Sequence, residues 1–182
     1  YLNWLRRQDG DIALFHSIKP KEARYGPFGD LDPEIIASLK EQGIERLYSH
    51  QSQAFSMASA GKDIVVVTPT ASGKTLCYDL PVLNSIVKDP CGRAMYLFPT
   101  KALAQDQLTE INELSRSLKG QIKSFTYDGD TPRSKRKEIK TGASIVITNP
   151  DMLNTAILPH HTSWAGYVRN LNFIVVDELH TY

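Results

Sequence analysis

The 182-residue sequence is 41% hydrophobic and 23% charged, the composition of an ordinary soluble globular domain with one substantial core, and it carries no internal repeat or low-complexity tract. Its formal net charge of +1 supplies no global basic field, so any contact with nucleic acid has to come from a local patch. Two cysteines, Cys77 and Cys91, make neither a disulfide framework nor a four-ligand zinc site, and no run approaches the about 20 apolar residues that cross a bilayer; the expectation is a soluble, cytoplasmic protein.

Residues 1–30, with Gly26, Pro27 and Gly29, read as a loosely structured approach segment. Asp32-Pro33 then supplies an N-cap followed by proline at the first helical position, starting a helix that runs to about Glu41 and ends at Gly43. The chain divides into this approach segment with its packing helix, 1–45, and a main lobe, 46–182. In the lobe, β-branched or aromatic runs at Ile64–Val67, Ala94–Phe98, Lys123–Tyr127, Ser144–Thr148 and Phe173–Val176 predict five strands. Helical spacing over Lys74–Val87, Lys101–Leu118, Thr131–Lys140 and Asp151–Ile157 falls between most of them, with Thr131 as an N-cap before Pro132. Such alternation specifies an α/β fold, a mostly parallel sheet with helices on both faces.

The first of these strands leads into Thr68-Pro69-Thr70-Ala71-Ser72-Gly73-Lys74-Thr75, which reads as a nucleotide phosphate-binding loop. Backbone N–H groups of Thr70, Ala71, Ser72 and Gly73 in a tight strand-to-helix turn wrap a phosphate, and the helix N-terminus favours the anion. Lys74 reaches the β- and γ-phosphates, and the Thr75 hydroxyl ligates Mg²⁺. Thr68 stands where the usual pattern has its first glycine.

At the far end, Phe173-Ile174-Val175-Val176 runs directly into Asp177-Glu178-Leu179-His180, placing two acids at a strand carboxyl end, where open parallel sheets bind ligands. In this Walker B arrangement Asp177 holds the same Mg²⁺, through water, while Glu178 orients or deprotonates the water that attacks the γ-phosphate. Loop and box together specify a site for Mg²⁺ and ATP.

With Asp177-Glu178-Leu179-His180 as the box, the chain after residue 45 resembles the superfamily 2 DExH-box helicases. The resemblance implies a RecA-like first lobe truncated after the DExH strand, with Lys74 and Glu178 in catalytic roles and His180 coupling the nucleotide site to motifs that respond to nucleic acid. Leu47-Tyr48-Ser49-His50-Gln51 resembles the adenine-reading Q motif, whose glutamine, Gln51 here, donates to and accepts from a purine edge; otherwise Gln51 is a polar residue in the first turn of a helix. Pro99-Thr100-Lys101 resembles motif Ia, Thr148-Asn149-Pro150-Asp151 motif Ib, and Asp128-Gly129-Asp130-Thr131 a further element facing nucleic acid in relatives. These imply contacts from Thr100, Lys101, Thr131, Thr148 and Asn149 to the phosphates of a single strand, the plainer alternative being that Thr100 and Asn149 cap helices. The basic run at Arg133, Lys135, Arg136, Lys137 and Lys140 reads as a solvated helix face, and His160-His161 as part of a polar loop.

The fuller signature resembles the MrfA-type branch of bacterial DNA-repair helicases, which implies ATP-driven 3′ to 5′ movement on single-stranded DNA, a second RecA-like lobe, and a cysteine-rich region far downstream. Starting without Met and stopping at Tyr182, the chain reads as a piece of a longer protein, and as such is expected to be nearly inactive alone. The alternatives are an RNA helicase of the same superfamily, a noncatalytic nucleic-acid-binding module that keeps the fold, and a small-molecule phosphotransferase, against which Gln51 and the acid pair argue.

Overall fold

A computed structural model describes residues 22–69, 72–118 and 122–181. Strand β1 (Tyr25–Gly26) and strand β2 (Leu47–Tyr48) pair antiparallel around helix α1 (Pro33–Glu41). Asp32 caps α1 by accepting from the Glu34 N–H at 2.9 Å, with Pro33 at the first position. Gly43 takes φ of 79° and turns the chain away, a conformation that glycine adopts without Cβ strain. The helix is bound to the rest of the molecule: Ser38 Oγ donates to the Leu114 carbonyl at 2.7 Å, and Asn84 Oδ1 accepts from the Asp32 N–H at 2.8 Å.

Helix α2 (Ser49–Ser59) follows β2 without a break, and α3 (Thr75–Lys88), β3 (Arg93–Leu97), α4 (Lys101–Ser115), β4 (Ser124–Thr126), α5 (Arg133–Gly142) and β5 (Ile145–Thr148) come next. After β5 a short helix α6 (Pro150–Met152) passes through a π turn (Leu153–Ile157) and a 3-10 turn (Leu158–His160) into α7 (His161–Val168), and the sheet is completed by β6 (Leu171–Val176). All four long strands are parallel in the order β4-β5-β3-β6. Alternation along β3 builds two cores. Ala94 and Tyr96 face Ile35, Leu39, Leu80, Leu83 and Ile111 from α1, α3 and α4; Met95 and Leu97 face Ile139, Ile157, Trp164 and Tyr167. The α/β architecture with helices on both faces is the one the alternating sequence specifies.

Three expectations differ from the structure. Ile64–Val67 is outside the sheet: Val65 is 82% and Val67 88% exposed. β-Branched residues favour extended backbone locally, but a strand also needs a partner edge, and among the described residues β6 is paired on its β3 side alone. The third helix begins one residue late, with Pro132 in the cap position, because the Thr131 hydroxyl turns back to accept from the Asp128 N–H at 2.9 Å. Lastly, the stretch read as a polar loop around His160 and His161 is turn and helix, since Trp164 and Tyr167, spaced to share one helix face, insert into the second core and drive it.

Candidate nucleotide-binding site

The phosphate-loop segment is held from behind by the first turn of α2. His50 Nε2 meets the Ser72 carbonyl at 3.0 Å, and Gln51 Nε2 donates to the Gly73 carbonyl at 2.9 Å. Gln51 Oε1 also accepts from the Tyr48 N–H at 2.8 Å, so a side chain only 3% exposed ties the start of α2 to the loop. Gly73 has φ of 75°, and a Cβ there would lie 2.6 Å from Gln51 Nε2; both facts require glycine. Thr68, in place of the usual glycine, pairs its hydroxyl with that of Ser72 at 2.7 Å. Lys74 is the N-cap of α3, and Thr75 its first residue. Thr70 and Ala71 lie outside the described residues.

Beside Gln51 and Gly73 lies a cleft of ≈ 400 Å³ that Tyr25, Glu45, Arg46 and Tyr48 also line. Its wall is a ladder: the Arg46 guanidinium sits 4.0 Å from the Tyr25 ring centroid, Tyr25 stacks on Tyr48 at 5.6 Å, and Tyr48 on His50 at 5.7 Å. Tyr25 and Arg46 escape the sequence reading because only the β1–β2 pairing brings them to the loop.

Asp177 lies just past the end of β6, its N–H continuing the ladder to the Leu97 carbonyl at 3.1 Å. Its Oδ1 accepts from the Glu178 N–H at 2.9 Å and its Oδ2 from the Tyr78 hydroxyl at 3.3 Å. Tyr78 stands one turn after Thr75 on α3, so the helix that opens with Thr75 carries the phenol that meets Asp177. The first turn of α3 and Asp177, far apart in sequence, are therefore joined through one hydroxyl. Burial, reinforced by Asp79 and Asp177, pushes the Tyr78 phenol well above the usual tyrosine range, so it stays a proton donor. Glu178 has φ of 49° without being glycine, the kind of strained backbone that clusters at functional sites, and its Oε2 lies 3.4 Å from His180 Nδ1. Cys77, 1% exposed, is a packing residue whose thiol burial pushes up to about 11.

On the opposite flank the expected nucleic-acid contacts divide. Thr100 is exposed and caps α4, accepting from the Leu103 N–H at 3.3 Å, and Asn149 Oδ1 accepts from the Met152 N–H at 2.8 Å. Lys101 is exposed but ion-paired with Asp130 at 2.5 Å. Thr148 is corrected: it is 2% exposed and donates to the Tyr127 carbonyl at 2.6 Å, so its hydroxyl ties two strand ends together instead of facing solvent. Thr131, 9% exposed, likewise spends its hydroxyl on Asp128. The basic run splits, with Arg136 and Lys140 lying over the rings of Tyr127 and Trp164 and the others exposed.

A family profile described as DEAD/DEAH box helicase matches residues 48–182. The chain belongs to the DEAD/DEAH box helicase family. Among curated helicases it is 55% identical over 173 residues to the Bacillus subtilis protein called uncharacterized ATP-dependent helicase YprA, covering 94% of this chain and 23% of that one. It is 40% identical over 174 residues to ATP-dependent helicase HRQ1 of Saccharomyces cerevisiae, covering 91% of this chain and 15% of the relative. The crystal structure of DUF1998 helicase MrfA bound to DNA and AMPPNP superposes with a TM-score of 0.93 at 53% identity, over 100% of this chain and 26% of that one. The helicase fold here is thus the RecA-like lobe, and the chain spans about a quarter or less of these relatives. Among the described residues no helix is long and apolar enough to cross a membrane.

Proposed function

We propose that this helicase chain is the Mg²⁺–ATP-binding lobe of an ATP-dependent DNA helicase or translocase that moves 3′ to 5′ on single-stranded DNA and serves DNA repair. The reading is carried by the hydrogen bond from Tyr78, one turn after Thr75 on α3, to Asp177 Oδ2, which joins the helix that follows the phosphate loop to the box. The donors are hard oxygens, a hydroxyl and a carboxylate, of the kind Mg²⁺ takes. Thr75 and Asp177, the latter through water, would hold the ion, which when bound neutralises charge on the β- and γ-phosphates. Lys74 adds its ammonium to the dipole of the α3 N-terminus. Glu178 takes the role of base or water-orienting group, with His180 beside it as the link to neighbouring motifs.

Gln51 supports the loop with one N–H and one lone pair, and an amide keeps a second of each for a purine edge, so the adenine-reading role joins the supporting one. Thr100, Lys101 and Asn149 are the side chains positioned for phosphates of a single strand. The MrfA complex with DNA and AMPPNP supports DNA and ATP as the ligands.

The lobe alone is expected to bind Mg²⁺–ATP weakly and turn over slowly, because charge-stabilising arginines of the related NTPases come from a facing element. The test is the ATPase rate, with and without single-stranded DNA, of a protein that includes both lobes. The expected result is a DNA-stimulated rate that falls about 10²–10⁴-fold in Glu178→Gln. A rate indifferent to both DNA and Glu178 would overturn the proposal.

A further inference from the structure

Behind Asp177 lies a hydrogen-bonded chain of side chains that the nucleotide chemistry does not itself use. Asp79, 1% exposed on α3, accepts from the Tyr96 hydroxyl of β3 at 2.8 Å. It also accepts from Gln107 Nε2 of α4, at 3.2 Å to one carboxylate oxygen and 3.0 Å to the other. Gln107, 4% exposed, turns its Oε1 to the Tyr78 hydroxyl at 3.0 Å, and that hydroxyl faces Asp177 Oδ2 at 3.3 Å. The Tyr78 ring is fixed edge-on against Tyr96 at 5.6 Å.

The order of the chain has chemical content. Gln107 turns its Nε2 to both oxygens of Asp79, which leaves its amide carbonyl facing Tyr78. A phenol carries one proton, and Tyr78 offers it to two acceptors, Gln107 Oε1 and Asp177 Oδ2. The position of Gln107 therefore governs how firmly Tyr78 holds Asp177. Partners that orient a metal-holding carboxylate typically change metal affinity 10–100-fold when lost.

We propose that Tyr78 is a positioning residue for Asp177, its hydroxyl set by the buried Gln107–Asp79 pair, so that α4 fixes the carboxylate that holds the metal. The inference rests on the reading of Asp177 as a Mg²⁺-holding residue. Removing the hydroxyl leaves the phosphate loop intact, so the defect belongs to metal dependence and not to nucleotide affinity as such.

The experiment is a Mg²⁺ titration of fluorescent mant-ATP binding to this chain, with a parallel nucleotide titration in EDTA and a thermal melt. Tyr78→Phe is expected to raise the Mg²⁺ half-saturation about tenfold, with affinity in EDTA unchanged. Gln107→Leu removes the competing acceptor of the Tyr78 proton and is expected to shift the half-saturation the other way, below wild type, while the double variant matches Tyr78→Phe, because Gln107 acts on Asp177 only through that hydroxyl. Ile111→Val, a buried change on α4 outside the network, controls for packing: it lowers the melting temperature and leaves the Mg²⁺ curve in place. Mg²⁺ curves of Tyr78→Phe and Gln107→Leu that superimpose on wild type overturn the proposal while leaving the site reading intact, provided Lys74→Ala abolishes binding. A wild-type chain whose nucleotide binding ignores Mg²⁺ overturns the site reading, and the positioning role with it.

Discussion

Gln51 and Gly73 are joined by a hydrogen bond of 2.9 Å that runs from a side-chain amide to the carbonyl of the phosphate loop. With the companion bond from the Tyr48 N–H, it makes the first turn of α2 a brace for the turn that precedes α3. Gln51→Ala removes both bonds, whose backbone partners lie in the exposed residues Gly73 and Tyr48, a loss of about 0.5–1.5 kcal/mol for each. Affinity should fall about tenfold for GTP and inorganic triphosphate measured by competition, and further for ATP, whose adenine edge also loses its partner. A defect confined to ATP would mean that base reading dominates and the brace matters little.

Gly73→Ala tests the same brace from the other side. At φ of 75° an added Cβ meets Gln51 Nε2 at 2.6 Å, so the variant pays backbone strain and displaces the amide together. Its nucleotide affinity should drop at least as far as that of Gln51→Ala, about 1–3 kcal/mol for the strain alone. Combining it with Gln51→Ala, which removes the clash, should recover part of the loss; a double variant with the full sum of both defects would show that the contact is incidental.

Asp79 gives the fold a pH dependence with a definite sign. Burial, set against hydrogen bonds from Tyr96 and Gln107, raises its carboxyl from 3.8 to about 7, with the charges of Glu110 and Asp177 adding to the rise. The folded state then binds a proton that the unfolded chain releases, so this contribution to stability is full below pH 4 and is lost as pH climbs through about 7. Comparing melting temperatures between pH 5 and 8, wild type should fall relative to Asp79→Asn, which removes the titrating group. A constant offset between the two across that range would place the titration elsewhere.

What the sequence discloses here is what neighbours along the chain determine. The proline after Asp32 and the acids after Val176 each act over a few residues, and the structure keeps their local geometry, whereas the β-branched run ahead of Gly73-Lys74-Thr75 does not join the sheet. Partnership is not local. The pairing of β1 with β2 that brings Tyr25 and Arg46 to the loop involves two residues on each side, too few for a periodic signal. The same limit explains Ile64–Val67, β-branched yet outside the sheet, and α7, whose packing face is two aromatics, Trp164 and Tyr167, separated by Ala165 and Gly166. Asp79 and Gln107 carry no motif at all; they matter because α3 and α4 lie side by side under β3.

Lys101 and Thr148 separate the two kinds of residue on the nucleic-acid flank. Lys101 is exposed but engaged by Asp130 at 2.5 Å, both side chains more than half exposed at 55% and 81%, so its charge reaches a phosphate only by leaving a weak surface pair. Asp130→Ala should therefore raise single-stranded DNA affinity about two- to fivefold at low salt, and Lys101→Ala should lower it and flatten its salt dependence by about 0.7 in log–log slope. Thr148→Val behaves differently, because the hydroxyl it removes satisfies the Tyr127 carbonyl in the interior. It should cost about 1–3 kcal/mol of stability and leave DNA affinity within twofold of wild type at a temperature where both are folded. Fluorescence anisotropy with a labelled oligonucleotide across a salt series, alongside urea melts, separates these outcomes. A Thr148→Val variant that keeps its stability and loses DNA binding would return that hydroxyl to the strand contacts its motif implies.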